Sequence, residues 1–143
     1  MKAIRTLCGE YPEDYIYNMD ETGLFWQRAP SSGLTLQNWP GVKKEKSRIS
    51  LVICTNCTGS DRLPIWFIGN AKQPHSLRGL NIRALGRYWR SNKKAWMTTL
   101  LMKEWLTAFY IHIGSRIVLL LMDNFKPYIL SIELAPPPPN IWI

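Results

Sequence analysis

The sequence lacks any apolar run close to the roughly 20 residues that span a bilayer; its longest, IVLLLM at 117–122, has six. The start, MKAIRTLCGEYPEDY, carries a lysine with no apolar stretch behind it, so it does not read as a secretory signal. Three cysteines (Cys8, Cys54, Cys57) make no disulfide framework, which points to a reduced, intracellular setting. Acidic residues are also scarce. Ten Asp and Glu face 18 Lys and Arg, and the span 62–103 has nine basic residues and no acid. With no basic amphipathic helix in view, a membrane surface is the poorer anionic partner and nucleic acid the better one.

What is present suits one domain: 143 residues, 46% hydrophobic, seven Trp and a net charge of +8. YIYNM (15–19) alternates like a half-buried strand, and Asp20 follows where the apolar run stops. Glu21, Thr22 and Gly23 read as a polar turn, with Leu24, Phe25 and Trp26 returning to the core. Residues 27–40 read as loop and 41–48 (GVKKEKSR) as a basic run. ISLVICTNC (49–57) and RLPIWFI (62–68) flank the turn TGSD and predict a β-hairpin, with Pro64 marking an edge or a bulge. Residues 69–94 show no sustained period. Thr98 or Thr99 caps a predicted helix to Ile113, with Leu101, Trp105, Ala108, Phe109 and His112 on one face and Gly114 as its stop. The run 117–122 predicts a strand buried on both faces, as in a parallel pair, and Asp123 ends it. Residues 130–134 give no clear pattern, 136–139 are prolines, and NIWI (140–143) opens like a strand.

Asp20 and Asp123 thus share one description, an acid after an apolar strand. Side by side in a sheet they would converge, and paired carboxylates repel unless a cation stands between them. Hard oxygen donors favour Mg²⁺ or Mn²⁺, the ions that serve phosphodiester chemistry. The competing reading is two turn-capping aspartates. Lys72, Arg78, Arg83, Arg87, Arg90, Lys93 and Lys94, interleaved with Tyr88, Trp89 and Trp96, form the candidate nucleic-acid surface. Lys43, Lys44, Lys46 and Arg48 form a second, weaker patch. Cys54 and Cys57 should point to opposite faces of a strand, which argues against a metal pair. His75 and His112 have no ligand partners at metal spacing, and Glu21 should face away from Asp20 as a supporting or solvated group.

YNMDETGLFW, ISLVICTNCTGSDRLPIWFIGNAKQP, NKKAWMT, KEWL and VLLLMDN resemble, in order, blocks of the DDE-type transposase domain. The branch is that of pogo, Tigger and centromere-protein-B-like elements in the mariner superfamily, and the likeness covers about 11–139. It implies an α/β fold, a ribonuclease-H-like mixed sheet with flanking helices, incomplete at the C-terminus. It also implies a single partial catalytic domain over 1–143, with no separate DNA-binding domain. Asp20 and Asp123 take the places of two catalytic, metal-binding acids, with Mg²⁺ or Mn²⁺ as cofactor and DNA as partner. A nuclear location follows, and a homodimer or transposase assembly is left open. The family's third acid lies on a later helix; here only Glu133 follows Asp123, ahead of the prolines, and Tyr128 stands where a histidine is usual. The expectation is a fragment with incomplete chemistry. The alternative is a non-catalytic DNA-binding remnant or a domesticated interaction protein.

Overall fold

The computed structural model describes residues 2–26 and 47–143. After helix α1 (Lys2–Cys8) come strands β1 (Ile16–Leu24), β2 (Ile49–Asn56), β3 (Trp66–Gly69) and β4 (Tyr88–Ser91). Helix α2 (Thr99–Ile113), strand β5 (Val118–Leu121), helix α3 (Lys126–Leu134) and strand β6 (Ile141–Trp142) complete the described chain. The six strands form one mixed sheet in the order β4-β3-β2-β1-β5-β6. The β1–β2 and β2–β3 pairs are antiparallel, while β5 runs parallel to β1 and β6 parallel to β5. The expected ribonuclease-H-like α/β arrangement is therefore present.

β1 is longer than its turn chemistry predicts. Pairing with β2 continues from Tyr17 opposite Asn56 to Leu24 opposite Ile49, so Glu21, Thr22 and Gly23 are strand residues. Nor do Leu24, Phe25 and Trp26 return to the core: they are exposed by 48, 40 and 57%. In the hairpin, Val52 pairs with Trp66 but Thr55 bridges to Arg62, a register slip of one residue that puts a bulge around Pro64. Pro64 marks a bulge and not an edge, because β4 pairs with β3 beyond it.

β4 falls in the stretch that showed no period. Its support comes from its neighbour: the Trp89 ring lies so close to Gly69 that a Cβ there would stand 2.3 Å from it. The Trp89 indole N–H donates to the Ala71 carbonyl at 3.0 Å. Trp66 and Tyr88 pack with ring centroids 5.0 Å apart.

α2 begins and ends where its caps predict. The Thr98 side chain accepts from the Leu101 N–H, and Gly114 stops the helix at φ 61, a value that favours glycine. Its buried face is turned from the expected one: Met102, Trp105, Leu106, Phe109 and Ile113 enter the core, while His112 stays out. Phe109 stacks on Trp105 at 5.5 Å and meets Tyr17 edge-on at 5.6 Å. Val118, Leu119 and Leu120 are at most 1% exposed, as a strand covered on both faces requires. α3, unpredicted, starts with Pro127 in its first turn and buries Tyr128 and Ser131. Cys54 is buried and Cys57 exposed, as strand alternation requires.

Candidate nucleic-acid and metal site

β1 and β5 are parallel neighbours, which gives Asp20 and Asp123 corresponding positions along them. Ile16, Tyr17 and Asn18 pair with Leu119, Leu120 and Leu121, and the same offset carried two residues on sets Asp20 level with Asp123. Both side chains are exposed. Each accepts the N–H of the next residue at 2.7 Å, Glu21 onto Asp20 and Asn124 onto Asp123. Asp20 lies within β1 and not at its end, but β5 stops short of it, so the acid stands clear at that edge.

Glu21 points to the opposite face of the sheet, as strand alternation predicts, but it is not solvated there. The Tyr128 hydroxyl donates to it in a short hydrogen bond. Burial raises the Glu21 carboxyl above the usual range; Tyr128, the Met97 N–H and the Arg48 charge oppose the rise, and Asp20 adds to it. Burial and the Glu21 bond also push the Tyr128 hydroxyl upward, and the charges of Asp20 and Asp123 both add to the push. Tyr128 therefore lies within electrostatic reach of all three acids. Its position drew notice in the sequence for replacing a histidine, but nothing there showed that it would bond Glu21.

Arg48 anchors the same edge. Its guanidinium donates to the Ser50 hydroxyl at 2.8 Å and lies 5.0 Å from the Trp96 ring and 5.9 Å from Phe25. Gly23 leaves room for it: a Cβ there would stand 3.3 Å from the guanidinium carbon.

The seven predicted basic contacts lie on the β3–β4 connection, on β4 and on the loop after it. Lys93 and Lys94 are exposed on the loop between β4 and α2, which is tied to β1 through Met97 and Glu21. Lys72, Arg78 and Arg83 are exposed on the β3–β4 connection. Arg87 borders a groove beside the hairpin with Ile53, Thr55 and Arg62. Arg90 is paired at the surface: both Glu104 oxygens accept from its Nε, at 3.0 and 2.9 Å, and it stacks 4.9 Å over Trp66. Lys43, Lys44 and Lys46 lie outside the described residues. His75 lies exposed in a 3-10 turn of the β3–β4 connection.

Carboxylate oxygens on an open edge suit Mg²⁺ or Mn²⁺ in donor type. Among the described residues no three His, Cys, Asp or Glu side chains gather closely enough to hold an ion. Glu133, exposed on α3, does not complete such a group.

A second polar cluster sits at the other end of β1. Asp61 accepts from the Tyr17 hydroxyl at 2.6 Å and from Arg116 at 2.8 Å, and lies 2.9 Å from His112 Nε2. Burial alone would raise its carboxyl, but bonds from Tyr17, Arg116 and His112 outweigh that and bring it down to about 2. Arg116 also donates to the carbonyls of His112 and Ile113, so the cluster ties hairpin, helix and sheet together. An adjoining groove of about 680 Å³ is lined by Glu10, Tyr11, Tyr15 and Arg116 and contains none of the predicted site residues.

A mixed sheet of this order, with helices packed on it, is the arrangement of a ribonuclease-H-like domain. The family of DDE superfamily endonucleases matches residues 46–135, and the chain belongs to it. It is 39% identical over 120 residues to ARS-binding protein 1 of Schizosaccharomyces pombe, covering 82% of this chain and 23% of that protein. Against CENP-B homolog protein 2 of the same yeast it is 37% identical, covering 93% of this chain and 26% of the relative. Tigger transposable element-derived protein 4 of Mus musculus is 31% identical, with 88% and 26% covered. The chain thus spans about a quarter of the length of these curated relatives. No solved structure gives a significant match.

Proposed function

We propose that this domain binds DNA in the nucleus and carries two acids of a metal-dependent DNA strand-cleaving site. The observation that carries the reading is the parallel β1–β5 register, which sets Asp20 level with Asp123 on an open edge. Two hard carboxylates would hold Mg²⁺ or Mn²⁺, and such an ion activates a water or 3′-hydroxyl and stabilises the leaving oxygen of a phosphodiester. The Glu21–Tyr128 bond and Arg48 keep β1 and α3 fixed around that edge. Exposed Lys93 and Lys94 supply charge for a phosphate backbone. A third ligand has to come from outside the described residues, from elsewhere in a longer protein or from a transposase assembly. A relative named for ARS binding and another named as a CENP-B homolog support DNA as the partner.

The test is nicking of supercoiled DNA with Mn²⁺. Cleavage that disappears in Asp20→Asn supports the full reading. If the chain cleaves nothing but binds DNA with an affinity that falls steeply with salt, unchanged by Asp20→Asn, the second reading holds, a non-catalytic DNA-binding domain. The two-acid pattern favours the first and the absence of a third nearby acid the second.

A further inference from the structure

We propose that Trp96, on the loop between β4 and α2, is a stacking platform for an unpaired base of single-stranded DNA, with Lys93 and Lys94 holding the flanking phosphates. This rests on the DNA-binding reading and adds to it a preference for unpaired over fully paired DNA.

The loop that carries Trp96 is built to hold one shape. The Asn92 side chain accepts from the N–H groups of Lys94 and Trp96, at 3.1 and 3.3 Å, and donates to the Trp96 carbonyl. The Asn92 N–H donates to the Gly69 carbonyl at 3.0 Å, fixing the loop to β3. Ala95 is 2% exposed and stands at φ 53, a left-handed conformation that L residues rarely adopt. Its carbonyl accepts from the Ser50 hydroxyl at 2.8 Å, and Ser50 in turn accepts from Arg48. Strain of this kind persists where the surroundings over-determine it, and such places are commonly ligand sites.

The result of that construction is an aromatic ring held outward. Alternate residues Ala95 and Met97 are buried, while Lys93, Lys94 and Trp96 face solvent, Trp96 with half its surface exposed. The Arg48 guanidinium lies 5.0 Å from the indole ring, and half of the Trp96 surface is open to solvent. The other aromatics of the basic stretch are used internally: Tyr88 packs on Trp66, and Trp89 lies against Gly69. Trp96 is the ring of that stretch presented with cations on its own loop and anchored to the strand of Asp20. Every base has a π-face, so one rigid indole with phosphate-binding lysines suits single strands without reading sequence.

The experiment compares two labelled DNAs by fluorescence anisotropy at fixed moderate salt, a blunt duplex and the same duplex with an unpaired thymidine tail. Trp96→Ala should weaken binding of the tailed DNA by roughly tenfold, with less than a twofold change for the blunt duplex. Trp96→Phe should retain most of the tailed-DNA affinity, and Lys93→Gln with Lys94→Gln should weaken both DNAs. Unchanged blunt-duplex binding shows that Trp96→Ala is folded. Equal loss on both DNAs, or no loss on the tailed one, overturns the platform while the DNA-binding reading stands. If the wild-type chain binds neither DNA, the wider reading falls and the platform with it.

Discussion

The two ends of β1 carry similar chemistry and opposite arrangements. At the hairpin end, Asp61 is met by Tyr17, His112 and Arg116, and nothing on it is left over for a ligand. At the other end, Asp20 and Asp123 are level, exposed, and, among the described residues, each accepts the N–H of the residue after it. Glu21 stands behind them in a buried environment that disfavours its charge. A carboxylate surrounded by donors stabilises a fold. Two carboxylates left exposed to solvent do so only weakly. The first end is bonded internally and the second lies open to solvent.

The largest expected difference is in stability. Asp61→Ala removes the acceptor for three groups and leaves Arg116 half-buried without its partner, so unfolding free energy should fall by about 2–3 kcal/mol. Asp20→Asn and Asp123→Asn, measured by the same denaturant titration, should change it by less than about 0.5 kcal/mol. Comparable losses at both ends would remove the distinction.

A smaller effect separates the ends by pH. Asp61 is held down at about 2 from an unfolded value near 3.8, so its contribution is present above 3.8 and lost as pH falls toward 2. Solvent screening limits that contribution to about 1 kcal/mol. Glu21 is displaced the other way: its raised carboxyl favours folding below the unfolded value of 4.5, and that advantage is lost as pH rises through its folded value. Asp61→Asn should flatten the acid limb of a stability–pH curve, and Glu21→Gln should flatten the fall above pH 4.5. If one substitution altered both limbs, the ends would not be independent.

An effect of similar size concerns the tyrosine between helix and site. Tyr128→Phe leaves Glu21 with the Met97 N–H and the Arg48 charge, so stability should fall by only about 1 kcal/mol. Because the lost bond was one that lowered the Glu21 carboxyl, its titration, followed by carboxylate NMR, should move further upward. A downward move would show that Tyr128 does not bond the carboxylate.

Much of this arrangement was legible before any coordinates. IVLLLM announced a strand covered on both faces, and Thr98 and Gly114 bounded α2, because both signals are local. The acids were legible as strand-associated, and parallel pairing gives them corresponding positions. What was not legible depends on partners far along the chain. Glu21 to Leu24 read as a turn and a return to the core, but four cross-strand pairs with β2 hold them extended, with Leu24 exposed. β4 has only four residues and exists through β3 and the Gly69–Trp89 contact. Arg90 was indistinguishable from Lys93 by charge, but α2 brings Glu104 to it. His112 was assigned to an apolar face, and Asp61, 51 residues away in sequence, decides its role.

The most direct test of the contrast between the ends is Mn²⁺ binding to the purified chain, followed by electron paramagnetic resonance. Wild-type protein and Asp61→Asn should bind the ion alike, while Asp20→Asn and Asp123→Asn should each lose most of that binding. Binding that survives both acid-pair substitutions, or that disappears with Asp61→Asn in a folded protein, would contradict it.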